Sequence, residues 1–126
     1  MAVRRGVEIP RPDPAAVLTK ATLEASDRLG VSRRILARVI GVSEATLSRS
    51  GSGRLIDPAS KEGELALLFV RLFRGLDALV GGDEAKAAAW LAAPHASLAA
   101  VPLELIQSAS GLVHVVDHLD ALRGTV

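Results

Sequence analysis

Between Ser32 and Arg49 the chain carries two short amphipathic stretches on either side of a glycine, and that spacing constrains its fold more than any other feature. Ser32 is a good N-cap, because its hydroxyl can accept from an amide that a starting helix leaves unpaired; Ile35, Leu36, Val39 and Ile40 then follow at helical spacing. Gly41 falls where this helix must stop and the chain must turn sharply, a place that calls for positive φ. Ser43 is placed to cap a second helix, Glu44 to Arg49, whose Leu47 points back toward the first. Ala37, four residues before Gly41, lets two crossing helices approach closely. Together these residues predict a helix-turn-helix.

The outer side of this unit sets Arg33, Arg34, Arg38, Arg49 and Arg54 against the single acid Glu44. Its second helix offers Ser43, Glu44, Thr46, Ser48 and Arg49 to base edges and phosphates. The same geometry also serves elsewhere as plain scaffold or as a protein contact. A basic, polar outer face favours DNA. The expected DNA-binding set is Arg33, Arg34, Ser43, Glu44, Thr46, Ser48, Arg49 and Arg54.

Charge is divided along the chain. Residues 1–60 contain ten Lys/Arg and six Asp/Glu, whereas residues 61–126 contain five and eight. A basic front and an acidic back suit a protein that meets phosphate with one half and another partner with the other. The absence of cysteine excludes disulfides, thiolate nucleophiles and cysteine zinc sites, and agrees with a reducing cytoplasm. Arg4 and Arg5 are followed by Pro10 and Pro12 and not by the apolar stretch of a signal peptide. The longest apolar run, Leu65 to Val80, is broken by Arg71, Arg74 and Asp77 and is too short and too charged to cross a bilayer. Nevertheless 49% of the residues are hydrophobic, and mean hydropathy is +0.33. A chain of 126 residues cannot hide so much apolar surface in one small core, which predicts an interface with another subunit, a homodimer through the C-terminal half.

No segment alternates with period two for long enough to predict a strand, so the expected fold is all-α. Residues 1–12 read as a flexible arm, in which Arg4 and Arg5 are candidates for a minor-groove contact. Asp13-Pro14 should open a helix ending at Gly30, with Val17, Leu18, Ala21, Ala25 and Leu29 on one face. Residues 13–60 form the expected helix-turn-helix domain and residues 61–126 a second helical domain. Asp57-Pro58 should cap a helix running to Val80, apolar around most of its circumference and therefore central. Asp83 should cap the helix that carries Trp90, ended by Pro94. Pro102 should open a helix to Ala109, and Ser110 should cap the last one, Gly111 to about Arg123.

From Trp90 onward the residue order resembles a known family. Ala89-Trp90-Leu91-Ala92-Ala93-Pro94, then Leu98, Pro102-Leu103-Glu104-Leu105-Ile106, Gly111, Val115, Leu119 and Gly124 resemble the C-terminal domain of Xre-like antitoxins of the MbcA/ParS type, partners of RES-domain toxins. A helix-turn-helix precedes that domain in the family, as it does here, so the resemblance spans roughly residues 15–126. The chain departs from the pattern at Ala99-Ala100-Val101, where the family usually has glycines. The resemblance implies an antitoxin of a type II toxin-antitoxin system. Its C-terminal region would cover the active site of an NAD-consuming, ADP-ribosyltransferase-like toxin, and it would dimerise and repress its own operon. It further implies toxin contacts by Trp90, Leu98, Pro102, His118 and Leu119 and by the tail Leu122, Arg123, Gly124, Thr125 and Val126. On residue chemistry alone Trp90, Leu98 and Leu105 read as ordinary core. Arg123, with its planar fork of donors, suits a carboxylate or a dinucleotide phosphate, or else simply the end of a helix dipole.

Other chemistries weigh less. His114-Val115-Val116-Asp117-His118 places two histidines on one helix face, but the acid is Asp rather than Glu, and only His95 or Asp120 could supply a third metal ligand. Ser50-Gly51-Ser52-Gly53 lacks the lysine and the preceding strand of a phosphate loop. No nucleophile, base and orienting acid converge, so a non-enzyme without cofactor or metal is expected. Two alternatives remain: a transcriptional regulator without a toxin partner, and a helical interaction scaffold.

Overall fold

The computed structural model describes residues 11–124, so Arg4, Arg5, Thr125 and Val126 lie outside the described residues. Seven helices follow one another: α1 (Pro14–Leu29), α2 (Arg33–Ile40), α3 (Glu44–Gly51), α4 (Lys61–Leu79), α5 (Glu84–Ala92), α6 (Pro102–Leu105) and α7 (Ala109–Gly124). Among the described residues there is no strand, only an isolated bridge between His95 and Ala100. The all-α expectation holds.

Local signals explain most boundaries. The Asp13, Ser32, Ser43 and Asp83 side chains each accept a hydrogen bond from an amide of the first turn they open, at α1, α2, α3 and α5. Gly30 and Gly41 end α1 and α2 in the left-handed region, at φ of 70° and 77°. Three expectations need correction. α4 begins at Lys61 under a Ser60 cap, and Asp57-Pro58 forms the turn before it. The cause is Gly63, where a side-chain carbon would stand 2.0 Å from the Asp57 carbonyl oxygen, so the turn folds back over the first turn of α4. α6 stops at Leu105, and the next helix starts at Ala109 with Ser108, not Ser110, accepting from the Gly111 amide. Val17 is not on the buried face of α1 but 54% exposed.

α4 is the central element. It packs against α1 and α2 on one side and α7 on another, and also touches α5. Ala66, Phe69, Leu72 and Leu76 are fully buried, which is what an apolar surface wider than one stripe requires. One core of buried side chains continues from Leu18 on α1 through α4 to Leu119 on α7. Gly75 is buried on the α4 face that meets α7, where a side-chain carbon would rest in ordinary contact with Leu119 Cβ at 3.6 Å.

Candidate DNA- and toxin-binding surfaces

α2 and α3 are locked together by the residues that define the turn. The Ala37 carbonyl accepts from both the Gly41 and Val42 amides at 2.9 Å, and Ala37 itself is buried. Leu47 returns from α3 into the core and is 1% exposed. Burying Leu47 turns the opposite side of α3 to solvent, with Glu44, Ser48 and Arg49 exposed and Thr46 half-exposed. Ser43 Oγ accepts from the Thr46 amide at 3.1 Å and donates to Thr46 Oγ1 at 3.0 Å. Arg49 Nη2 donates to the same Thr46 oxygen at 3.0 Å. With Thr46 Oγ1 accepting twice, its own proton is left to donate outward, and Arg49 is held by one hydrogen bond in a pose with donors to spare. A helix face of this kind, presented at a capped N-terminus, suits phosphate oxygens and base-edge acceptors.

The other residues expected here divide by position. Arg34 is exposed. Arg33 pairs with Asp27 at 3.0 Å and donates to Ser26 Oγ at 2.6 Å, tying α2 to the end of α1. Arg54 is half-buried, with its guanidinium bonded to Glu62 on α4 and to Ser50 Oγ on α3. It is a strut between α3 and α4 and not a side chain reaching outward.

A second constellation forms where α5, α7 and the intervening loop meet. Trp90 on α5 is half-exposed; its ring lies 4.5 Å from that of His95 and 6.4 Å from that of His118 on α7. His95 Nε2–H donates to the Trp90 carbonyl at 2.8 Å, one of the carbonyls that the last turn of α5 leaves unpaired. His118 Nε2 pairs with Ser97 Oγ at 3.3 Å. The loop between them is closed by the His95 amide on the Ala100 carbonyl at 3.1 Å, with Leu98 buried as its plug and Ala99 at φ 54°. On α7, His118 and Leu122 are four residues apart and share a face, and Leu122 is 50% exposed. Trp90, His118 and Leu122 are thereby joined into one partly apolar stripe.

Leu98, Pro102 and Leu119 are buried, so they shape this surface from beneath. Arg123 lies against α4, its Nη1 4.0 Å from Asp120 Oδ1 and near Gly75; Gly124 is the last described residue. Sequence reasoning places neither Ser97 nor, except as a metal ligand, His95 in a site. The available signal is a histidine immediately after the proline that ends the Trp90 helix. Among the described residues no three His, Cys, Asp or Glu side chains are grouped to hold a metal ion.

Residues 8–71 match the antitoxin Xre-like helix-turn-helix domain, and residues 75–124 match the antitoxin Xre/MbcA/ParS C-terminal toxin-binding domain. No match was found among curated proteins. An all-α molecule with a DNA-binding fold at one end and a toxin-binding domain at the other is a regulator of the type II toxin-antitoxin class. The chain belongs to the Xre/MbcA/ParS family of antitoxins. Among the described residues no helix is long and apolar enough to cross a membrane.

Proposed function

We propose that this antitoxin silences a RES-domain toxin by covering its NAD-binding active site, and that as a homodimer it represses its own operon through α3, acting in the cytoplasm. The observation that carries the first half is the stripe of Trp90, His118 and Leu122, braced by His95 and Ser97. A half-exposed indole fixed by two neighbouring rings is a rigid anchor of the kind that dominates protein interfaces. On this reading Leu122, Arg123, Gly124, Thr125 and Val126 follow the anchor into the toxin's cleft. There the Arg123 guanidinium meets the groups that hold the cofactor's phosphates and carboxylates. The second half is supported by the polar face of α3, on which Arg49, Thr46 and Ser48 are directed away from the core.

The test uses the full-length antitoxin with the RES-type toxin encoded beside it, following NAD consumption in vitro. Wild type should abolish it. Deletion of residues 122–126, or Arg123→Glu, should release it while operator binding persists. Full inhibition by the truncated chain, together with loss of inhibition in Trp90→Ala, would move the occluding surface to the region from Trp90 to Pro102. No inhibition by wild type would overturn the RES-toxin reading.

A further inference from the structure

α5 carries Trp90, and little apolar contact holds it. Of its nine residues Ala87 and Leu91 alone are buried, and the first of these offers a single methyl group. The link from α4 runs through Gly81 and Gly82, at φ of 64° and 82°. A side-chain carbon at either glycine would meet nothing within 4 Å, so no packing at the link sets the direction of α5. Glu84, Ala87 and Leu91 follow at intervals of three and four and share one helix face, while Trp90 stands one residue away from that face. The roll of α5 about its own axis therefore decides where the indole is aimed. A roll of about 20° carries a side chain at the helix rim, about 5–6 Å from the axis, by about 2 Å. Misplacement on that scale is enough to spoil an interface anchor.

The third point on this face is held by α1. Arg28 Nε donates to Glu84 Oε2 at 2.9 Å, and the Arg28 guanidinium carbon lies 5.2 Å from the centre of the Phe73 ring on α4. The hydrogen bond to Glu84 raises the guanidinium pKa above its ordinary value, and the charges of Asp77 and Glu24 add to the effect. An arginine in the last turn of α1 and a glutamate in the first turn of α5 each suit their own helix dipole without needing the other. Side chains 48% and 51% exposed also gain little stability by pairing. Neither effect calls for the Phe73 contact. The ring seats the guanidinium from a third helix, so that one side chain of α1 ties α4 to the first turn of α5.

We propose that Arg28 is a positioning residue for toxin binding: through Glu84 it fixes the roll of α5, and with it the direction in which Trp90 faces. This rests on the reading of Trp90 as the anchor of the toxin-facing stripe. Arg28 thus holds one end of the helix whose other end is held by His95 through the Trp90 carbonyl.

The test measures the affinity of the full-length antitoxin for the RES-type toxin encoded beside it, together with amide hydrogen exchange of the free antitoxin. Arg28→Met keeps an apolar stem over Phe73 and removes the charge. It should weaken toxin binding about fivefold, the share of competent molecules lost with an exposed pair and a cation–ring contact. Amides of α5 should exchange faster in the same variant, while those of α7 and the urea midpoint stay as in wild type. Because the chain has no cysteine of its own, Arg28→Cys with Glu84→Cys can be joined by a short bis-maleimide. Unbridged, this double variant should bind as weakly as Arg28→Met; bridged, it should regain wild-type affinity, since a covalent tie replaces the ion pair. Wild-type affinity in Arg28→Met, unchanged exchange in α5, or a bridge that restores nothing would overturn the positioning role. Trp90→Ala in the same assay separates the two readings. If it binds toxin normally, Trp90 is not the anchor, whatever Arg28 does; if it loses binding while Arg28→Met does not, the positioning role alone fails. If wild type binds no RES-type toxin, the proposed function falls, and exchange in α5 still decides whether Arg28 holds that helix.

Discussion

The His95 ring lies 4.5 Å from the Trp90 ring while its Nε2–H is bonded to the Trp90 carbonyl at 2.8 Å, so one side chain both closes the end of α5 and braces its indole. Removing it in His95→Ala leaves a helix-terminal carbonyl unpaired and takes away the ring that flanks Trp90. The expected loss is about 1–2 kcal/mol of folding stability, the sum of a typical hydrogen bond and part of an aromatic pair. Chemical denaturation measures it. Because Trp90 is the only tryptophan, its emission should also shift to the red as the indole becomes wetter. Unchanged emission and stability would show that the His95 ring does not hold Trp90 in place.

Much of this architecture was legible in the sequence because the deciding interactions are short-range. Asp13, Ser32, Ser43 and Asp83 act on amides two or three residues away, and Gly30 and Gly41 act on their own φ. Boundaries are ambiguous in the sequence where two local signals compete. Asp57 and Ser60 are both plausible caps, and the choice is made by a close backbone approach at Gly63 that only the folded turn creates. Ser108 and Ser110 pose the same problem before α7. The candidate DNA site was readable as a face but not residue by residue. Whether an arginine points outward depends on partners such as Asp27 for Arg33 and Glu62 for Arg54, the second of them on a helix that linear spacing does not bring near. Ser97, which braces His118 in the Trp90–His118–Leu122 stripe, was hidden for a similar reason: Ser97 and His118 are 21 residues apart in sequence and meet only in the folded chain.

The glycines should separate into two classes under alanine substitution. At Gly63 and Gly111 the added carbon falls 2.0 Å from the carbonyl oxygens of Asp57 and Leu105, a backbone clash that no rotamer can relieve. Either Gly63→Ala or Gly111→Ala should therefore cost about 3 kcal/mol, at the upper end of ordinary overpacking. Gly30 has open space around the same position and is penalised only for its φ of 70°, so Gly30→Ala should cost about 1 kcal/mol. Urea midpoints for the three variants give the ranking directly. Equal losses at all three positions would mean that the turn over Gly63 and the α6–α7 junction yield easily.

Ala99 carries the opposite expectation. Its φ of 54° is the sole left-handed value at a non-glycine among the described residues, in the loop closed by His95 and Ala100. Ala99→Gly removes the steric cost of that conformation and should stabilise the fold by up to about 1 kcal/mol, while Ala99→Val should destabilise it by more than that. The glycine variant also loosens the loop beside Trp90. Toxin affinity should then fall even as thermal stability is kept or raised, because the loop must be ordered again on binding. Affinity and stability moving together would show that the loop is not held rigid by Ala99.

Arg49 and Arg54 stand five residues apart in sequence, yet substitution should expose different roles. Arg49 sits on the outward face of α3 and spends one hydrogen bond on Thr46, so Arg49→Ala leaves the core untouched. If Arg49 reads a base edge, operator affinity should drop by about 1–3 kcal/mol, and more steeply when Thr46→Ala is added. If Arg49 meets a phosphate instead, the salt dependence of binding should become shallower by about one counterion. Arg54 bonds Glu62 and Ser50, and beyond that pair the Glu62 Oε2 atom is buried without a hydrogen-bond partner among the described residues. Arg54→Ala therefore strands a largely buried carboxylate and should cost about 1.5–3 kcal/mol of folding stability, the range for hydrogen bonds to charged groups. Its effect on DNA should track the fraction folded and leave the salt slope unchanged. Measuring operator affinity at several salt concentrations beside urea denaturation distinguishes the two arginines. An Arg54→Ala protein of normal stability that loses DNA affinity would return Arg54 to the DNA-contacting face.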